Sequence, residues 1–143
     1  MRSWAPADPR RIFLDTAAHY ALADPRDGNY PVALRIRDRL IAQRGRLFTT
    51  NFVLAETHAL LLGRRGPVVA WRTLQEIEHS SLTIVRVSSG DERRAREILA
   101  QYDDKAYSLT DATSFAVIDR LGMTHAFTFD HSPAARPLRP ARR

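Results

Sequence analysis

The chain contains no cysteine, which excludes disulfide staples, thiolate metal sites and a cysteine nucleophile. Lysine is almost absent as well: of 22 basic side chains, all but Lys105 are arginine. No lysine therefore stands at the end of a late strand, as a receiver-type phospho-acceptor site would need. No apolar run approaches the roughly twenty residues that span a bilayer. The opening MRSWAPADPRR lacks the apolar centre of a signal peptide, so a cytoplasmic location is expected and a membrane association is not. Acid is outnumbered by base, 16 to 22, for a net charge of +6. A surplus of that sign favours a polyanionic partner, with nucleic acid the commonest.

What is present reads as one soluble domain. The chain has 143 residues, 44% of them hydrophobic, enough to bury a real core. Residues 1–132 are expected to form that domain. Residues 133–143, with Pro133, Pro137, Pro140 and four arginines, are expected to stay unfolded. Short apolar runs at Arg11–Asp15, Leu47–Thr50, Leu82–Val87 and His125–Phe129 read as strands. Between them lie helical patterns: Thr16–Ala23, a segment from Pro31 stopped by Gly45, a Phe52–Gly63 helix opened by Asn51 and apolar on nearly every side, Val68–His79, Asp91–Tyr102 and Ser108–Leu121. In the second, Val32, Leu34, Ile36, Leu40 and Ile41 are the expected apolar set; in the fourth, Trp71, Leu74 and Ile77 are expected to pack, and Gly63 to Pro67 should break the chain before it. Strands alternating with longer helices argue for an α/β fold with a mostly parallel sheet.

The acids carry the chemistry. Thr110 can cap the last helix with Asp111 in its first turn. At 100° per residue, however, Asp111 shares a face with Ser114, Phe115, Ile118 and Leu121, while Thr113 and Arg120 lie opposite. Glu56 likewise sits among Phe52, Val53, Ala59 and Leu60. Asp15 and Asp130 each close a strand. Ligands of a parallel sheet bind at the carboxyl ends of its strands, so all four carboxylates can gather on one rim. Such a cluster needs a positive charge in its midst, and hard divalent ions such as Mg²⁺ or Mn²⁺ supply it through oxygen ligands. In a basic protein, that arrangement suits hydrolysis of a phosphodiester. Each acid also has an ordinary reading: helix starts for Asp15 and Asp111, a turn for Asp130, and a buried pair with an arginine for Glu56. Their conjunction is what favours a metal site. The histidines have no metal-ligand spacing, and the arginines of the second helix read as a solvated face.

RIFLDT, NFVLAETHALL, DKAYSLTDATSFAVIDRLG and HAFTFD, in that order and spacing, resemble the PIN domain, most closely the VapC-type toxins of bacterial toxin-antitoxin pairs. The resemblance runs from about Arg11 to Asp130. It implies an α/β/α sandwich around a mostly parallel sheet and a Mg²⁺- or Mn²⁺-dependent endoribonuclease, often a homodimer, held in check by a cognate VapB-type antitoxin. It assigns metal-binding and catalytic roles to Asp15, Glu56, Asp111 and Asp130. Thr16, Thr50, Asn51 and Ser114 fall where the family keeps small polar groups near the metal, and Asp104 matches a family position that orients the site or stabilises its loop. After Asp130 the chain departs from its relatives, turning to proline and arginine. That departure motivates the alternative, a PIN fold kept as a catalytically inactive RNA- or protein-binding module.

Overall fold

The computed structural model describes residues 10–129, so Asp130 and the arginine-rich tail lie outside the described residues. Four parallel strands form one sheet in the order β3-β2-β1-β4: β1 (Arg11–Leu14), β2 (Arg46–Thr50), β3 (Thr83–Val85) and β4 (His125–Phe127). Among the described residues six helices connect them: α1 (Thr16–Ala23), α2 (Tyr30–Ala42), α3 (Asn51–Arg65), α4 (Pro67–His79), α5 (Ser89–Gln101) and α6 (Leu109–Arg120). The expected α/β fold with a parallel sheet is thus borne out.

The central strands β1 and β2 are covered on both faces, as a parallel sheet with helical crossovers requires. Strand alternation divides β1 between them. Ile12 and Leu14 pack with Ala18, Ala21 and Ala33 of α1 and α2, whereas Phe13 turns the other way, to Phe48, Val53, Val117 and Ile118 under α3 and α6. Phe13 is fully buried. In α2 the packing stripe is Ala33, Ile36 and Leu40, spaced three and four apart. Val32 and Ile41, one position off that stripe, are exposed.

Several local expectations are corrected. α3 is apolar all round in sequence, but Ala55, Ala59 and Leu62 face outward, and burial falls on Val53, Leu54, Thr57 and Leu61. It runs through Gly63 and ends at Gly66, whose φ of +87° breaks the helix just before Pro67 opens α4. Trp71 is 57% exposed, because α4 turns Ala70 and Thr73 inward instead. The N-cap of α3 is Thr50, whose hydroxyl accepts from the Val53 amide, and not Asn51. Ser108, not Thr110, caps α6, in a reciprocal box with Asp111. Thr113 is fully buried rather than outward, since α6 is wedged between the sheet and α5 and packs on both sides.

Candidate active site

The chain moves from β1 to β2 and on to β3 in one direction, then returns past β1 to place β4 on the far side. The reversal makes a switch point between β1 and β4, where a parallel sheet opens a crevice at the carboxyl ends of its strands. Leu14 pairs with Phe127 in register. The next residues, Asp15 and Thr128, therefore emerge side by side at that opening, with the Asp15 amide donating to the Phe127 carbonyl at 3.4 Å.

A cleft of about 470 Å³ lies there, lined by Asp15 and Thr16 from the β1–α1 junction, Glu56 from α3, and Asp111 and Ser114 from α6. Three expected acids, spread over almost a hundred positions, thus face one space. Asp15 and Asp111 each spend one carboxylate oxygen on a helix start: Asp15 Oδ1 accepts from the Ala18 amide at 2.9 Å, and Asp111 Oδ2 from the Ser108 amide at 2.9 Å. Glu56, half-buried, has neither an ion pair nor a hydrogen bond among the described residues. Among the described residues no arginine pairs with it, as the structural reading of this acid would need. Thr16 Oγ1 is buried and has no hydrogen-bond partner among the described residues, a cost natural interiors seldom carry without a reason.

The other expected polar groups separate into two sets. Ser114 is buried and lines the cleft. Thr50 and Asn51 do not line it: Thr50 caps α3, and Asn51 Oδ1 accepts from the Val87 amide at 2.8 Å, joining the start of α3 to the chain after β3. Asp104 is exposed on its loop, 3.8 Å from Lys105, and is also absent from the cleft. Asp130 lies outside the described residues.

Sequence reasoning missed the outer wall. Tyr20, Asp27, Asn29 and Arg64 line the cleft as well. Burial raises the Tyr20 phenol above its ordinary pKa, and its 2.6 Å hydrogen bond to Asp24 adds to that, against the pull of Arg64. Burial pushes the Asp24 carboxyl up, yet the hydrogen bonds from Tyr20, the Arg26 amide and Arg65 outweigh it and leave Asp24 below the usual carboxylate range. α3 continues from Glu56 through Leu60 to Arg64, so one helical spacing of four could have drawn attention to the arginine.

The donor set is oxygen only, carboxylates and hydroxyls without nitrogen or sulfur, and so fits a hard cation. Among the described residues no three His, Asp or Glu side chains close on one point as a self-sufficient cage. Mg²⁺ characteristically keeps several waters and takes only one or two carboxylates, so an open set of this kind suits it. Carboxylates thus line the switch-point cleft of a parallel α/β sheet.

The chain belongs to the PIN-domain family, whose model matches residues 12–136. Among curated relatives, the 23S rRNA-specific endonuclease VapC20 of Mycobacterium tuberculosis (strain CDC 1551 / Oshkosh) is 34% identical over 126 residues, covering 83% of this chain and 88% of the relative. Among solved structures, the crystal structure of M. tuberculosis VapC20, described as a sarcin-ricin loop cleaving toxin, superposes with a TM-score of 0.78 at 32% identity. It covers 92% of this chain and 99% of its own. The resemblance to VapC-type toxin endoribonucleases is borne out, and with it the α/β/α sandwich and the nuclease class. No helix among the described residues is long and apolar enough to cross a membrane.

Proposed function

We propose that this chain cleaves a loop of the large-subunit ribosomal RNA, with Asp15, Glu56 and Asp111 holding one or two Mg²⁺ or Mn²⁺ ions and Asp130, which directly follows cleft residue Phe129 in the chain, as a fourth ligand. The observation that carries this reading is Glu56: in a protein of net charge +6, a half-buried carboxylate beside two others has no cationic partner among the described residues. Held by these carboxylates, such an ion would supply polarisation of the phosphodiester and activation of a water for attack at phosphorus. The chain's own side chains do the rest. The amides of Ala18 and Ser108 fix the Asp15 and Asp111 carboxylates through one oxygen each. Ser114 and the Thr16 hydroxyl, which has no partner among the described residues, supply further polar groups to the same space and orient what binds there.

The named substrate of the relative, 23S rRNA, and its structural description as a sarcin-ricin loop cleaving toxin support a looped RNA substrate. Physics favours a loop too, because unpaired bases can be splayed into a cleft and A-form duplex cannot be read in that way. The likeness to VapC toxins supports a small VapB-type antitoxin as inhibitor, a homodimer as the working form and a cytoplasmic location. Cleavage assays on purified 23S rRNA with Mg²⁺, Mn²⁺ or EDTA test the reading, alongside Asp15→Asn, Glu56→Gln and Asp111→Asn. Each variant should lose about a hundredfold or more in rate. Glu56→Gln should keep or slightly gain stability, since it removes charge repulsion and breaks no bond, whereas Asp111→Ala should cost ~1 kcal/mol through the capping box. Cleavage that persists in EDTA, or survives Glu56→Gln, refutes the proposal.

A further inference from the structure

Along the cleft-lining face of α3, side chains repeat every four residues as Glu56, Leu60 and Arg64. Their order is acid, apolar, base. The side chain of Arg64 is solvent-exposed, has no carboxylate partner among the described residues, and holds its guanidinium 5.0 Å from the centroid of the Tyr20 ring. Tyr20 is itself fixed. It is 7% exposed, and its hydroxyl donates to Asp24, which is paired in turn with Arg65. The cation is therefore presented at the edge of the cleft on an anchored platform, at low cost in side-chain freedom.

We propose that Arg64 is a positioning residue that grips a phosphate flanking the scissile one. This inference rests on the nuclease reading of the cleft and adds to it a substrate contact outside the acid cluster. Eight residues of helix separate the Cα atoms of Glu56 and Arg64 by about 12 Å. That spacing, with the guanidinium held over Tyr20, assigns Arg64 to a neighbouring phosphate rather than to the one at the acids. Helical side chains tilt toward the helix N-terminus, which leans Arg64 back along the cleft toward Glu56. The apolar Leu60 lies between them, and the face alternates as a nucleic-acid strand does: phosphate, nucleoside, phosphate. A planar fork of donors is the preferred grip for the outer phosphate.

The test uses the full chain and a short RNA loop carrying the cleavage site. Binding is measured in EDTA at several salt concentrations, and turnover is measured with Mn²⁺. Arg64→Gln is expected to weaken binding and raise KM about tenfold, leave kcat within about threefold, and reduce the slope of log affinity against log salt by about one. Arg64→Lys should restore most of the slope but only part of the affinity. Arg96→Gln, on the exposed face of α5, serves as the control for loss of a distant charge. A neutral methylphosphonate at one linkage next to the cleavage point should weaken the wild type and add nothing to Arg64→Gln. An unchanged KM and salt slope in Arg64→Gln, a fall matched by Arg96→Gln, or additive effects of variant and methylphosphonate at both flanking linkages would overturn the assignment. Because binding is read without metal, that result stays distinct from a failure of the acids to support cleavage.

Discussion

Acidification should destabilise the fold through one histidine. His19, on α1, is 4% exposed, and burial lowers its pKa from 6.5 to about 4. Its hydrogen bonding fixes the tautomer of the neutral ring. Thr49 Oγ1 donates to the Leu14 carbonyl at 2.9 Å and so accepts from His19 Nε2 at 3.1 Å, which places the ring proton on Nε2. Below pH 6.5 the unfolded chain takes up a proton at this site that the folded chain refuses. Stability is therefore complete above that value and falls as the pH drops toward 4. The full difference is worth ~3 kcal/mol, and ~2 kcal/mol of it should be gone at pH 5. Urea unfolding at pH 8, 6 and 5 measures it in the wild type and in His19→Gln, whose amide nitrogen can still reach Thr49. The wild type should lose that ~2 kcal/mol between pH 8 and 5, and the variant should lose ~2 kcal/mol less over the same interval. Asp24 and Asp91, both held below the ordinary carboxylate value of 3.8, contribute stability that is lost only at lower pH. A wild type and variant that decline in parallel would refute the assignment to His19.

Two further perturbations test the scaffold. Asp91 is 3% exposed and accepts from Arg120 Nε and Nη2 at 2.8 and 2.9 Å. Burial raises its carboxyl, but these bonds and those of Ser88 outweigh the effect. Arg120→Met should cost ~2 kcal/mol in thermal unfolding, below the range for a fully buried pair because the arginine is 45% exposed; a loss under ~0.5 kcal/mol would show Ser88 alone suffices. Arg44 adopts φ 57° after α2, a conformation that suits glycine, while the following Gly45 donates to the Leu40 carbonyl at 2.7 Å. Arg44→Gly should therefore raise the urea midpoint by the equivalent of ~1 kcal/mol, and an unmoved midpoint would show that the strain is not felt.

The fold was legible where periodicity and burial coincide. RIFL and RLFTT alternate between the two faces of the sheet just as their side chains do, and the helices between them fall close to the expected spans. It was less legible where a residue's neighbours come from elsewhere in the chain. Nothing local in α6 reveals that α5 covers the side opposite the sheet, so Thr113 read as an outward residue yet is fully buried. Trp71 fails in the opposite direction. Its size suggested core, but helical phase gave the inward positions to the smaller Ala70 and Thr73, and phase depends on what α4 packs against.

The cleft explains why two of its acids could not be assigned from local signals. The junction between the end of a strand and the start of a helix is where an acid best caps amides and meets the helix dipole. It is also where a parallel sheet presents its ligand crevice. Asp15 occupies such a junction and caps α1, and Asp111, in the first turn of α6 after the loop that follows α5, accepts from the Ser108 amide, so their local role neither supports nor excludes a second one. Glu56 breaks the tie: it sits mid-helix with no amide to cap, and the described structure provides it no cation. Arg64 and Asn29 join the wall only because α3 and the α1–α2 turn close on the same space, a convergence no single segment encodes. A side chain's chemistry can be read from its type and spacing, but the partner it lacks becomes visible only after folding, and here the lack of a cation at Glu56 among the described residues carries more weight than any contact present.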